Sequence, residues 1–201
     1  LSVSRETLLA EYFPENQEKI DKYAQILQTW GIKRGLVGPK EGDRIWERHI
    51  ANCIPVSSLI PRDCFVADVG SGAGLPGIVI ALARPDLQMT LIEPLQRRVD
   101  FLEEVISLLD LKIVVLRGKA ESIKGNFDIV TARAVAPLPK LLSISWHLVR
   151  PNGSLLAMKG EGAQAEIDLI EQKWLAVTKL HVVELPQFEL SRVVEVKKLI
   201  K

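Results

Sequence analysis

Three features of the 201-residue chain predict an α/β fold built on an open, mostly parallel sheet. From residue 64 onward, short apolar runs alternate with amphipathic stretches of helical period. Runs such as LQMTLIE, KIVVL and FDIVTA carry few polar residues, as strands covered on both faces must. The first run, Phe65 to Val69, breaks into glycines at 70, 72, 74 and 77 before IVIALA resumes, which reads as strand, tight turn and helix.

Before that alternation the chain is helical. Leu8, Leu9 and Phe13 recur at helical spacing and Pro14 ends a first helix over 1–13. Ile20, Tyr23, Ala24, Leu27 and Trp30 form an apolar stripe over 15–30, closed by Gly31. Glycines, a proline and charges make 33–42 a loop. A third helix is expected over 43–53, with Asp43 as its N-cap and Ile45, Trp46, His49 and Ile50 on one face. The segment 55–61 then reads as a connector. Residues 1–60 are thus an N-terminal helical segment packed on a domain of 61–201, the two forming one compact unit.

In the domain proper, strands are expected at 64–69, 89–93, 112–117, 127–132 and 154–158, and helices at 76–84, 96–109, 140–149 and 163–175. Pro76 suits the first turn of its helix, where an N–H would have no partner. The last two apolar runs, 177–185 and 192–199, are joined by PQFELS and predict an antiparallel pair on one sheet edge.

Composition bounds the function. Apolar residues make up 47% and charged residues 25%, ordinary for a globular enzyme that needs no disulfide or metal staple. No run reaches the ~18 apolar residues of a membrane span, and no leader peptide is visible, although the sequence begins at Leu1. Cys53 and Cys64 lie apart from any CxxC or histidine cluster, so no metal site is expected and a reducing, cytoplasmic environment is the default. The net charge of +1 does not advertise a nucleic-acid binder, yet a balanced total can conceal a local basic face.

The glycine loop announces an adenosine-bearing ligand. Gly72-Ala73-Gly74-Leu75-Pro76-Gly77 fits GxGxxG, so a nicotinamide or flavin dinucleotide is one reading. Glu93, about 20 residues beyond the turn, stands where a ribose diol is gripped, which serves dinucleotides and S-adenosylmethionine alike. Asp68 discriminates better. An acid two residues before the first glycine resembles motif I of Rossmann-like methyltransferases, where it lies near the cationic methionine end of the cofactor. An anionic pyrophosphate would be repelled there. Ala120-Glu121, after the third strand, corresponds to the adenine contact of such enzymes; taken singly, Glu121 is equally a loop acid capping a turn.

A more specific resemblance runs along the chain. GSGAGLPG (70–77), LIEPLQRRVDFL (91–102), RGKAES (117–122), TARAVAPL (131–138) and LLAMKGE (155–161) together resemble the bacterial 16S ribosomal RNA guanine-N7 methyltransferase family (RsmG/GidB). RIWERHIAN (44–52) resembles the helix that precedes the fold in that family. The implied fold is the Rossmann-like S-adenosylmethionine-dependent methyltransferase fold, a mostly parallel seven-stranded sheet with an antiparallel C-terminal edge and an N-terminal helical extension. The implied reaction is methyl transfer from S-adenosylmethionine, leaving S-adenosylhomocysteine, to N7 of a guanine in 16S rRNA, free or in a 30S particle or assembly intermediate. The enzyme is expected as a cytoplasmic monomer. Resemblance assigns cofactor contacts to Gly70, Leu75, Ala120, Glu121 and Arg133; Asp68, Gly72 and Glu93 join them from the loop argument.

The chemistry agrees with what the sequence lacks. Guanine N7 carries an in-plane lone pair and no proton, so alignment and electrostatics suffice without a general base. A cytosine-C5 enzyme needs an activated cysteine, and Cys53 and Cys64 fall on a helix and at a buried strand. An adenine-amino enzyme carries an NPPY-like element after the fourth strand; here that position reads Thr131-Ala132-Arg133-Ala134. Arg133 is the expected catalytic residue, positioning the substrate through a guanine O6 edge or a phosphate; a salt bridge to Asp68 or Glu161 is its structural alternative. Arg48, His49, Arg97, Arg98 and Lys159 are candidate RNA contacts, each also explicable as an ordinary surface charge, and His49 as a half-buried helix residue. Two other readings stand beside the methyltransferase: a nicotinamide-dependent oxidoreductase, and a non-catalytic RNA-binding assembly factor on the same fold.

Overall fold

The structure is a computed structural model that describes residues 5–175, 177–184 and 190–199. Its centre is a seven-stranded sheet in the order β3-β2-β1-β4-β5-β7-β6. The strands are β1 (Phe65–Val69), β2 (Gln88–Glu93), β3 (Ile113–Arg117), β4 (Phe127–Arg133), β5 (Val149–Lys159), β6 (Thr178–Val183) and β7 (Ser191–Lys197). The first five are parallel, and β7 runs antiparallel between β5 and β6. The expected antiparallel pair is therefore present, with the later strand inserted next to β5; residue 185 of the first expected run and 186–189 of the connection lie outside the described residues.

Helices cover both faces: α1 (Arg5–Tyr12), α2 (Gln17–Ile26), α3 (Ala51–Ser58), α4 (Gly77–Ala83), α5 (Gln96–Leu108), α6 (Leu138–Ser145), α7 (Ala163–Asp168) and α8 (Gln172–Leu175). The period-2 alternation of the strands sorts the core in two. Val66, Leu91, Ile129, Leu156 and Val193 face one layer with α4, α5 and the N-terminal segment. Ala67, Ile92, Val130, Leu155 and Val194 face the other layer with α6 and α7. Counting on by twos from the first set reaches Asp68, Glu93 and Arg133, so all three emerge on the face that the N-terminal segment covers.

That segment shares the core of the sheet domain. Phe13, Ile20, Tyr23, Leu27, Ile45 and Ile50 are completely buried in one cluster with Ile78, Leu91 and Phe101. Each such burial stabilises by about 1.5–3 kcal/mol. Asn16 seals the contact by donating from Nδ2 to the Leu82 carbonyl at 2.9 Å.

Several expected boundaries are corrected. Asp43 is no N-cap: it lies in a tight 3-10 segment, Pro39–Arg44, and the chain enters the next helix through wide π-turns over Ile45–Ile50. The expected connector at 55–61 is largely helix, because α3 continues through Pro55 to Ser58. There the Ser57 and Ser58 hydroxyls donate to the carbonyls of Ile54 and Pro55. Likewise α2 ends at Ile26 and passes into π-turns over Leu27–Gly31. The helix expected over 140–149 is α6, starting two residues earlier and finishing in a 3-10 turn, Trp146–Leu148, so that Val149 already opens β5.

Strand β5 is longer than expected because Phe127 pairs with Val149 and Ile129 with Ser154, which leaves Arg150-Pro151-Asn152-Gly153 bulged outward. Asn152 takes φ 64° in that bulge. The helix expected over 163–175 is divided into α7 and α8. No helix among the described residues is long and apolar enough to cross a membrane.

Candidate functional site

The carboxyl ends of the five parallel strands open onto one edge, and the strand order reverses between β1 and β4. That reversal leaves a crevice at a topological switch point. The glycine loop enters it from β1. Gly70, Gly72 and Gly74 have φ of 68°, 58° and 95°, a region that strains any residue with a Cβ. Packing reinforces the choice at Gly74, where a Cβ would collide with Ile78 Cδ1 and lie 2.9 Å from the Tyr23 hydroxyl.

Two carboxylates hold this loop from beneath. Glu93, 1% exposed, accepts from Gly72 N–H at 2.9 Å and from Leu95 N–H at 3.0 Å, and Arg98 approaches it at 3.7 Å. Asp68 is fully buried and accepts from Gly77 N–H at the start of α4 (3.1 Å) and from the Thr131 hydroxyl (3.3 Å). Burial pushes the Asp68 carboxyl up to about 7, against the hydrogen bonds from Ser71, Gly77 and Thr131 that favour its charged form. From the N-terminal segment, Tyr23 donates its hydroxyl to the Ala73 carbonyl at 2.7 Å. The loop is thus fixed by β1, β2 and α2 together.

Ala120 is buried in the short turn Ala120–Ser122 after β3, while Glu121 points to solvent. Leu75 is buried within the loop. These residues could hold an adenosine: a hydrophobic floor and close backbone, with an acid at the end of β2. Two buried carboxylates beside the glycines favour a ligand with a positive centre over a pyrophosphate.

The other half of the crevice lies around Arg133, the last residue of β4. Ala134 follows with φ 55°, a strained conformation for a residue with a side chain, and turns the chain sharply off the strand. Val135 then leans back on the glycine loop, where a Cβ at Gly70 would lie 2.7 Å from its Cγ2. Arg133 is half-buried, with Nη2 3.2 Å from His49 Nδ1 and Nη1 3.9 Å from the Cys53 sulfur. The alternative reading, a salt bridge to Asp68 or Glu161, is not among the described contacts of Arg133, which are these two. Beside Arg133 opens a pocket of about 420 Å³ lined by Asn52, Pro137, Met158, Lys159 and Arg192 among others. Cys53 and Cys64 are buried and free, and burial raises the Cys53 thiol to about 11, far from a nucleophile at neutral pH.

A model of the GidB family, described as rRNA small subunit methyltransferase G, matches residues 16–194. The chain belongs to the rRNA small subunit methyltransferase G family. It is 53% identical over 161 residues to the ribosomal RNA small subunit methyltransferase G of Thermobifida fusca (strain YX), covering 79% of this chain and 68% of that one. The Streptomyces avermitilis protein of the same name is 47% identical over 178 residues, covering 87% of this chain and 74% of its own length.

Solved structures share the fold at lower identity. A methyltransferase from Pyrococcus furiosus superposes with a TM-score of 0.59 at 14% identity, over 94% of this chain and 100% of that one. A ribosomal protein L11 methylase from Lactobacillus delbrueckii subsp. bulgaricus gives 0.57 at 17%, over 73% and 77%. The fold of this family member is the Rossmann-like one of S-adenosylmethionine-dependent methyltransferases.

The cationic residues named from sequence divide into two groups. Arg97 is exposed on the first turn of α5. Arg48 contacts Glu41 at 3.3 Å and His49 contacts the other oxygen of Glu41 at 3.2 Å. Arg98 lies over Glu93, and Lys159 is tied to the Ala136 carbonyl (2.7 Å) and to Glu166 (2.8 Å). Those last two charges are neutralised within the walls of the crevice, which suits them to shaping it rather than to following a phosphate chain.

Sequence reasoning missed Tyr23, Glu41 and Val135. Tyr23 was visible only as one member of an apolar stripe, and its hydroxyl on a helix otherwise facing the core was the available signal. For Glu41, inside a loop of charges, there was none.

Proposed function

We propose that this protein transfers a methyl group from S-adenosylmethionine to N7 of a guanine in 16S ribosomal RNA. The observation that carries the reading is membership of the rRNA small subunit methyltransferase G family over residues 16–194. Among the described residues lining the pocket beside Arg133, the one carboxylate is Glu166, and it already accepts from Leu138 N–H and from Lys159. Guanine N7 carries no proton to remove, so a pocket whose carboxylate is already engaged is compatible with the reaction.

Bound S-adenosylmethionine would supply a methyl group made electrophilic by its sulfonium. Glu93 has lone pairs left to accept from the ribose hydroxyls while it holds Gly72, and Gly70, Gly72 and Leu75 shape the loop around the nucleoside. Ala120 and Glu121 border the adenine. Asp68 supports the methionine end indirectly, by holding the start of α4. Arg133 orients the guanine, donating to the O6 edge and leaving N7 open toward the methyl. Arg48 and Arg97 lie on the surface that an RNA backbone would approach, and an RNA of the small subunit, free or assembled, is the partner this surface would meet; His49, its two ring nitrogens engaged by Arg133 and Glu41, stands behind that surface.

Two measurements test the proposal. Calorimetric titration should give binding of S-adenosylhomocysteine and none of NADH; the reverse result favours the oxidoreductase. Purified protein with methyl-labelled S-adenosylmethionine should label small-subunit RNA, whereas RNA unlabelled both free and as 30S particles would leave only an assembly factor.

A further inference from the structure

The contacts of Arg133 have a direction. A guanidinium can only donate, so at 3.2 Å His49 Nδ1 must be the acceptor. That leaves the proton on Nε2, which faces Glu41 Oε2 at 3.2 Å. One tautomer satisfies both contacts, and the carboxylate of Glu41 selects it. The second oxygen of Glu41 is held by Arg48 at 3.3 Å, and the His49 carbonyl receives the Cys53 thiol at 2.9 Å, which fixes the turn that carries the ring.

We propose that Glu41 and His49 form a positioning relay for Arg133, in which neutral His49 holds the guanidinium at the crevice and its protonation releases it. This rests on the role proposed for Arg133 and adds two residues of the N-terminal segment to the reaction. The charged groups facing the ring are Arg133 from β4, Glu41 from Pro39–Arg44, and Arg48 on its own turn; Asp68 on β1, pushed up to about 7, interacts with Arg133 from the glycine-loop side, so the limb is read in an Asp68→Asn background. Burial and the Arg133 charge press the imidazole below its ordinary range, and Glu41 opposes them in part. At neutral pH the ring is therefore uncharged and Nδ1 can accept. In acid, Nδ1 gains a proton, the acceptor disappears, and two cations face one another across the former hydrogen bond.

The sign follows directly. Methyl transfer should have an acid limb below the usual histidine value of about 6.5, with loss of kcat as pH falls through it. Glu41→Gln removes the charge that favours the imidazolium and should move the limb to lower pH. His49→Asn places an amide oxygen where Nδ1 stood; it should keep kcat within about threefold and abolish the limb. His49→Leu should lower kcat about tenfold or more at every pH.

A readout independent of activity is the 15N spectrum of the His49 ring. It should show an unprotonated Nδ1 at pH 7, and Arg133→Ala should raise the titration midpoint. A limb that persists in His49→Asn, a fully active His49→Leu, or a His49 titration indifferent to Arg133→Ala would each overturn the relay. An inactive Arg133→Ala beside a fully active His49→Leu defeats the relay alone. Full activity in Arg133→Ala defeats the role of Arg133, and the relay with it. Glu41→Gln, at a partly exposed position, keeps the test open should His49→Leu fold poorly.

Discussion

The two halves of the crevice are built in opposite ways. Glu93 reaches Gly72 across 21 residues of chain, within one strand-turn-helix-strand unit. Arg133 reaches His49 across 84, and can do so only after the N-terminal segment has docked on the sheet. The loop half is a local structure that the glycines impose. The Arg133 half is a tertiary one, assembled from β4, the Pro39–Arg44 segment and the π-turns over Ile45–Ile50. On the proposed roles, binding the methyl donor and placing its acceptor would therefore depend on different parts of the sequence.

Substitutions can separate these dependences. The largest effect is expected from Arg133→Ala: methyl transfer should fall at least ~100-fold, the scale of losing a positioned charged donor, while circular dichroism and melting remain those of the native fold. Next comes Gly74→Ala. With φ 95° and a Cβ meeting Ile78 and the Tyr23 hydroxyl, it should destabilise the fold by about 1–3 kcal/mol and weaken S-adenosylhomocysteine binding, read by chemical denaturation and calorimetry.

Tyr23→Phe tests whether the N-terminal segment also reaches into the loop half. Leaving the Ala73 carbonyl unpaired should cost about 1–3 kcal/mol, seen as a lower urea midpoint at unchanged slope. A smaller change concerns Asp68. Its folded value near 7 lies above the unfolded carboxyl, so the folded state binds more protons between about pH 4 and 7. The stability it contributes is complete below about 4 and is lost as pH rises through about 7. Asp68→Asn should remove that decline from a urea-midpoint series, its amide accepting from Gly77 and donating to Thr131. Smallest is Arg97→Ala, expected to reduce the salt slope of RNA binding by about 1; an unchanged slope puts Arg97 away from phosphate.

The local half was legible in the sequence for physical reasons. Glycine spacing implies backbone conformation, apolar runs imply buried parallel strands, and Glu93 follows from where a second strand must end. Counting by twos from Val66 and Ile129 even puts Asp68 and Arg133 on one face. The boundaries that failed lie where tertiary packing overrides local preference. Pro55 reads as a helix end, yet Cys53, Ile54 and Val56 are buried on a helix that continues past it. The Pro151-Asn152-Gly153 turn residues read as a break, yet they form a bulge within β5. The sequence reads Asp68 as an acid near the cofactor, and nothing in its neighbours shows that it would be buried and hold Gly77. Partners of Arg133 were unreadable, because a contact across 84 residues leaves no local pattern.

The most direct test of the account is to map the methyl group on ribosomal RNA. Purified protein, labelled S-adenosylmethionine and 30S particles or free 16S rRNA should place the label on N7 of a guanine, recognised by the chain scission that borohydride and aniline produce at 7-methylguanosine. Label on an exocyclic amine, on cytosine C5 or on a ribose would contradict it.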